Sequence, residues 1–196
     1  MKNNLSSTGN VLCIKNMVCP RCIMAVRQCL ETLNLHPQSV ELGMVLMEEP
    51  LTDELRHRIG EALAPLGFEL LDKPGAQLVE QIKIILIDLV HYHNEPLKSN
   101  LSQYLADKLH RDYSSLSKLF SETTGTTIEK YFIAQKIERA KELIVYGELS
   151  LNEIADRLGY SSVAYLSSQF KSVTGLTPSY FKRLKENHRK ALDEIL

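Results

Sequence analysis

IADRLGYSSVAYLSSQFKSVTGLTPSYF, running from Ile154 to Phe181, is the stretch on which the fold of this chain turns. It reads as a helix, a tight turn and a second helix. The first helix lies within LSLNEIADRLG, where Ser150 followed by Glu153 three residues on makes a capping box. Gly159 can adopt the left-handed backbone that turns the chain sharply, and Ala155 is small where two helices cross closely. In the second helix Leu166 and Phe170 stand four apart and face inward, which leaves Val163, Ala164, Ser167, Ser168 and Lys171 over the remaining surface.

The same unit occurs earlier. LADKLHRDYSSLSKLFSETTGTTIEKYF, from Leu105, repeats the pattern: Phe120, Gly125 and Thr127 return as Phe170, Gly175 and Thr177, Ala106 as Ala155, and Leu116 as Leu166. The second copy carries one extra residue between Leu158 and Leu166. Two copies make a pair of modules, not a solenoid. Between them FIAQKIERAKELIVYG is an uninterrupted helical stretch that stops at Gly147. In the first unit Ser114, Ser115, Ser117 and Lys118 surround the inward-facing Leu116 and Phe120.

A short helix with little bulky charge at its N-terminal end can enter a major groove, where serine meets base edges and alanine touches a thymine methyl. Helix-turn-helix shapes also occur in proteins that bind no nucleic acid. Two units joined by a long helix favour DNA. The charge distribution permits it: residues 1–93 carry 8 Lys+Arg against 11 Asp+Glu, and the remaining 15 against 13 give residues 94–196 a net +2 within an overall −1. Lys182, Arg183, Lys185, Arg189 and Lys190 can meet phosphates, although charge runs at a chain end are often only solvated.

IADRLGYSSVAYLSSQFKSVTGLTPSYFKR resembles the signature of the AraC/XylS family of transcription regulators, through Ile154, Ala155, Gly159, Tyr160, Tyr165, Leu166, Phe170, Lys171, Gly175, Thr177, Pro178, Tyr180 and Phe181. Tyr160 and Leu166 stand where that family usually has phenylalanine. The resemblance covers about residues 98–185. It implies seven helices, two helix-turn-helix units, and recognition helices in successive major grooves. It places base contacts at Ser114, Ser117 and Lys118, then at Ala164, Tyr165 and Ser168, with Lys171, Lys182 and Arg183 as further DNA-facing positions. A base-reading arginine of the family is replaced by Ser168, so weaker or shape-based reading is expected of the second unit.

The first part of the chain has a different rhythm. VLCIKNM reads as a strand, RCIMAVRQCLETL as a helix, SVELGMVLMEE as two strands bent at Gly43, LTDELRHRIGEALAPLG as an amphipathic helix that Thr52 or Asp53 can cap, and FELLD as a last strand. This β-α-β-β-α-β order is the split arrangement of ferredoxin-like domains. DKPGA breaks the chain, and a helix follows from about Gln77 to His93 that is apolar over most of its surface, so it should be buried or meet a partner. His91 and His93 read as solvated helix-end residues. The expected fold class is an α+β N-terminal ferredoxin-like domain over residues 1–72, a linker with a helix over 73–97, and an all-α domain with two helix-turn-helix units joined by a long helix over 98–196.

Within NMVCPRC, Cys19 and Cys22 form a CxxC pair behind Met17. No apolar signal segment is visible at the N-terminus, and IKIILIDLV is too short and too charged to span a bilayer, so a cytoplasmic, membrane-free protein is expected. There a CxxC reads as metal-binding or redox-active. M-x-C-x-x-C on a strand-to-helix loop resembles the heavy-metal-associated domain of copper chaperones and metal-transporting ATPases. The resemblance implies a soft ion, Cu(I) or Zn, held by Cys19 and Cys22 as thiolates, with Met17 in the core and Gly67-Phe68 beside the loop. A helix N-terminus would lower the thiol pKa. Asn16 stands where that family usually has glycine. Cys13 and Cys29 read as core residues.

The expectation is thus a DNA-binding transcription regulator whose partner is double-stranded DNA, with a homodimer and, for an activator, RNA polymerase as further partners. The cysteine pair senses a metal, senses thiol redox state, or does neither. Two rivals stand beside it: a metallochaperone-like module whose helical domain docks a protein, and a CxxC oxidoreductase. No catalytic set is visible around the cysteines, so no enzyme is expected.

Overall fold

The computed structural model describes residues 10–93, 97 and 99–184, which divide into two compact units between Ile84 and Ile85. The first opens with β1 (Val11–Lys15), α1 (Pro20–Thr32), β2 (Pro37–Glu41), β3 (Met44–Met47), α2 (Asp53–Leu63) and β4 (Glu69–Leu70). The strands form one antiparallel sheet in the order β2-β3-β1-β4, with Leu12 opposite Val45 and Ile14 opposite Leu70. Alternation along β1 sends Leu12 and Ile14 to one face, where they join Val26 and Leu30 of α1 and Ile59 and Leu63 of α2 in a closed core.

The strand read as VLCIKNM ends at Lys15, because Asn16 takes a left-handed backbone with φ 70°. Asparagine is among the few side chains that tolerate this conformation, which explains why it can stand where glycine is usual. Of the two residues able to cap α2, Thr52 does so: its hydroxyl accepts from the Leu55 N–H at 3.2 Å. Pro65 sits in a short 3-10 turn, Ala64–Leu66, that Gly67 closes at φ 82°.

Helix α3 (Pro74–His91) starts three residues earlier than the periodicity predicts, and the division between the units falls inside it. Its first part packs on the first unit. Gln77 Nε2 donates to the Leu71 carbonyl at 2.6 Å, Gln81 Nε2 contacts Met44 Sδ at 3.6 Å, and Ile84 lies against Gly43. Met44 pairs with Cys13, whose side chain alternates away from Leu12 and Ile14, so this part of α3 covers the sheet face opposite α1 and α2. The apolar breadth of the helix is accounted for by burial of Val79, Ile82, Leu86, Ile87 and Val90.

The described part of the second unit is all-helical. After the end of α3 come α4 (Leu101–Leu109), α5 (Tyr113–Thr124), α6 (Ile128–Tyr146), α7 (Leu151–Arg157), α8 (Val163–Thr174) and α9 (Pro178–Leu184). The predicted capping box is present: Ser150 Oγ accepts from the Glu153 N–H and the Glu153 carboxylate accepts from the Ser150 N–H. Gly147 ends α6 at φ 73°, and Gly159 turns the chain between α7 and α8 at φ 66°. Val90 belongs to the core built from α6, α7, α8 and α9. His91 departs from its solvated reading: it is half-buried, with Nε2 3.1 Å from Oε1 of the fully buried Gln135, whose Nε2 donates to the Tyr131 hydroxyl. A polar side chain on the long helix needed a partner, and the end of α3 supplies it.

Candidate nucleic-acid interface and cysteine pair

The two helix pairs, α4–α5 and α7–α8, are built from the same local devices. An oxygen side chain caps each second helix: Asp112 accepts from the Ser115 N–H on α5, and Ser162 from the Tyr165 N–H on α8. Gly125 and Gly175, at φ 73° and 78°, end the two helices. Thr124 and Thr174 each turn a hydroxyl back onto the carbonyl four residues earlier, at 2.8 and 2.7 Å. Phe120 meets Tyr131 and Phe170 meets Phe181 edge to face, with centroids 5.7 and 5.5 Å apart. Burial is the same residue for residue over 111–120 and 161–170, with only Leu116 and Phe120, or Leu166 and Phe170, fully inside.

That burial fixes which side chains face outward. On α5, Ser114 and Lys118 are exposed and Ser117 half-buried; spacing of three and four puts them on one face. Lys118 lies 4.0 Å from Glu122 in an exposed pair, so its ammonium remains accessible to a phosphate or base. On α8, Ala164, Tyr165, Ser168 and Lys171 are all exposed. The ring of Tyr165 rests edge-on against Tyr160 at 5.7 Å, and its hydroxyl accepts from Gln169 Nε2 at 3.2 Å. Lys182 and Arg183 are exposed on α9, where Arg183 stands over the Tyr180 ring at 5.6 Å. Lys185, Arg189 and Lys190 lie outside the described residues.

The sequence reading missed Asp112. Its carboxylate accepts from the hydroxyls of Ser114 and Ser115 as well as from the Ser115 N–H, and these bonds hold its pKa down to about 2. The Ser114 hydroxyl proton is thereby engaged, which leaves that exposed oxygen free to act as an acceptor. The signal was available: an aspartate three residues before Ser115, at the start of a helix.

In the first unit Cys19 is the N-cap of α1, and its Sγ lies 3.3 Å from that of Cys22. The pair is unbonded: a disulfide would bring the sulfurs to about 2.05 Å. All four cysteines are free thiols, and Cys13 and Cys29 are buried. Met17 is fully buried, as the resemblance implied. Asn16 Nδ2 donates to the Gly67 carbonyl at 2.9 Å, which sets the Gly67-Phe68 corner beside the loop. The thiol of Cys22 does not follow the expected lowering. Burial pushes it up, and the neighbouring Cys19 sulfur adds to the rise, outweighing the backbone N–H groups at the helix start. Among the described residues no group of three or more His, Cys, Asp or Glu side chains converges on a point where an ion could sit. A donor set of two sulfurs fits a soft ion satisfied by few ligands, Cu(I), and is short of the four that a structural Zn takes.

Comparison with known proteins bears on the helical part. Residues 105–184 match the family model described as "Helix-turn-helix domain". The xylose operon regulatory protein of Escherichia coli (strain K12) is 34% identical over 144 residues, which cover 64% of this chain and 37% of that protein. An uncharacterized HTH-type transcriptional regulator of Bacillus subtilis, YfiF, is 32% identical over 153 residues, 76% of this chain and 48% of its own length. Among solved structures, the C-terminal domain of AraT, a response regulator from Geobacillus stearothermophilus, is similar with a TM-score of 0.49 at 23% identity, covering 61% of this chain and 89% of that one. This chain spans less than half the length of these curated relatives. The C-terminal part of the chain is thus similar to a helix-turn-helix domain, and a small N-terminal sheet region precedes it. No helix among the described residues is long and apolar enough to cross a membrane.

Proposed function

We propose that this chain is a sequence-specific DNA-binding transcription regulator of the AraC kind. Helices α5 and α8 are its two recognition helices, α6 joins the helix-turn-helix units, and the N-terminal sheet region is a ferredoxin-like domain of the heavy-metal-associated type. One observation carries the reading: the same capping, turn and burial scheme occurs around Phe120 and around Phe170, and each time it leaves one short polar helix face exposed. Ser114, Ser117 and Lys118 read bases from the first helix, and Ala164, Tyr165 and Ser168 from the second. Lys171, Lys182 and Arg183 meet the backbone. The partner is double-stranded DNA in the cytoplasm, with a second copy of the chain and RNA polymerase as further partners of an activator. No catalytic role is assigned to any residue.

The test is binding to the DNA upstream of its own coding sequence, against scrambled DNA, over a range of salt. The expected result is a preference for the former and a logarithmic fall of affinity with salt, with a slope of roughly −0.9 per phosphate neutralised. Affinity without sequence preference and without salt dependence would overturn the regulator.

The N-terminal domain is the effector-sensing part. Cys19 and Cys22 hold a soft ion as thiolates, Cu(I) being the best match to a set of two sulfur ligands, and the ion supplies a charge and a cross-link across the start of α1. Linkage requires that the ion favour one of two DNA affinities. Protein purified without oxygen should take up Cu(I) and change its DNA affinity, and the double substitution Cys19→Ser/Cys22→Ser should do neither. Unchanged DNA affinity in all four states would remove the sensor and leave the regulator. Saturating Cu(I) binding with no sequence-dependent DNA affinity would instead identify a metal-binding module.

A further inference from the structure

Neither the DNA reader nor the cysteine pair accounts for Glu80. This carboxylate on α3 is 7% exposed, and burial pushes its pKa up against the opposing pull of the Asn16 N–H and of the nearby Lys83 and Lys15. Glutamate is rarely buried without a task, because desolvating its charge is costly. One of its oxygens accepts from the N–H of Asn16 at 3.0 Å, sixty-four positions away in the sequence. Asn16 is the left-handed residue that ends β1 and opens the cysteine loop.

Asn16 is held at three points. Glu80 takes its N–H, the Gly67 carbonyl takes its side-chain amide at 2.9 Å, and its own carbonyl lies 3.8 Å from Cys22 Sγ. A left-handed backbone at a non-glycine residue is unfavourable and persists only where the surroundings impose it. Here the surroundings are α3, through Glu80, and the corner before β4, through Gly67. The sulfur that would ligate an ion therefore rests against the residue whose N–H Glu80 holds. Residues Ile85–His91 of the helix that carries Glu80 belong to the DNA-binding unit.

We infer that Glu80 is the positioning residue of the cysteine loop: by accepting from the Asn16 N–H it fixes the turn that keeps Cys19 and Cys22 within reach of one soft ion, and it ties the state of that pair to α3. The inference rests on the soft-metal reading of the cysteines. It adds the element through which an occupied pair acts on the rest of the chain. Glu80 touches no ion; it acts through Asn16, as groups behind a ligand commonly do.

The experiment uses the full chain, reduced and without oxygen, with Cu(I) alone as the probe. Affinity is measured by competition with a chromophoric chelator for wild type, Glu80→Gln and Glu80→Ala, and thermal melting confirms that each is folded. Gln keeps the acceptor for the Asn16 N–H and Ala removes it. The expected result is wild-type affinity within about threefold for Glu80→Gln and a loss of about tenfold or more for Glu80→Ala, in the range found for groups that support a metal's ligands. In wild type, Cu(I) should also change amide hydrogen exchange at Asn16 and in α3 around Glu80. Should Glu80→Ala fail to fold, this exchange measurement on wild type decides alone. If wild type binds Cu(I) through Cys19 and Cys22 but Glu80→Ala binds as tightly, or α3 exchange is unmoved, the positioning role is wrong and the metal site stands. If wild type takes up no Cu(I), the metal reading itself has failed, and the role of Glu80 falls with it.

Discussion

Helix α5 begins at Asp112 and turns Ser114 and Lys118 outward; helix α8 begins at Ser162 and turns Ala164 and Ser168 outward. Beneath those surfaces the two are nearly the same object, with matched glycine stops, matched threonine hydroxyls and matched aromatic contacts. The difference separates two demands on a repeated module. Closing a helix pair on the long helix requires Leu and Phe inside and a glycine at the end, so those positions agree. On the function proposed above, reading DNA would impose no common residue on the outward face, and those positions differ. At the positions read as base contacts the first helix offers a cation and a carboxylate-oriented serine, and the second a methyl group, a phenol and a neutral hydroxyl, with its cation, Lys171, one turn further on. The first should read bases with a charge at Lys118, and the second more through shape and apolar contact, with Lys171 left to the phosphates.

Phe120→Ala and Phe170→Ala each remove a fully buried ring, and each should cost about 3–5 kcal/mol of unfolding free energy in urea titrations. If one costs far less than the other, the two packings are not equivalent. Lys118→Ala should weaken DNA binding by about tenfold and reduce the magnitude of the salt slope by about 1, whereas Ser168→Ala should leave the slope unchanged. Ser168→Lys should raise the slope by about 1; if it does not, α8 does not lie along DNA as α5 does.

The glycine stops give a smaller effect. Gly125→Ala and Gly175→Ala meet no neighbouring atom within 4 Å, so only their positive φ opposes the change, at a cost of roughly 1 kcal/mol each by thermal melting. Unequal costs would show that the turns differ in more than sequence. The smallest effect is lost only in acid. The folded-state pKa of Asp112 lies near 2, below its ordinary 3.8, so its contribution is fully present above about pH 4 and is lost as pH falls toward 2. Melting of wild type and Asp112→Asn should differ above pH 4 and converge near pH 2. A difference that persists there would mean the cap does not depend on charge. Nothing of the kind is expected from Ser162, which has no charge to lose.

Much of this was legible because it is local. The repeat around Phe120 and Phe170, the capping box at Ser150, the turn at Gly159 and the strand-helix order before Leu71 all follow from spacing and from backbone preferences of single residues. What escaped depends on which of two neighbouring groups wins a contact, or on burial. That Thr52 and not Asp53 caps α2 is decided by which oxygen reaches the Leu55 N–H. That Ser114 is oriented by Asp112 required knowing where α5 begins. The Cys22 thiol was read as lowered by the helix start, because its burial, the larger influence, is a tertiary property.

The sequence by itself determined the helix-turn-helix character of the C-terminal part, since glycine, proline and apolar spacing act within a few residues and leave little choice. It also determined that Cys19 and Cys22 sit together at the start of a helix. Only the tertiary structure decided that α3 covers the second face of the sheet, that His91 completes the hydrogen bonds of Gln135, and that a buried glutamate sixty-four residues on holds the turn before the cysteines. The physical reason is common to all three. A buried polar group must find a partner wherever the fold puts one, and no spacing along the chain records which partner that will be.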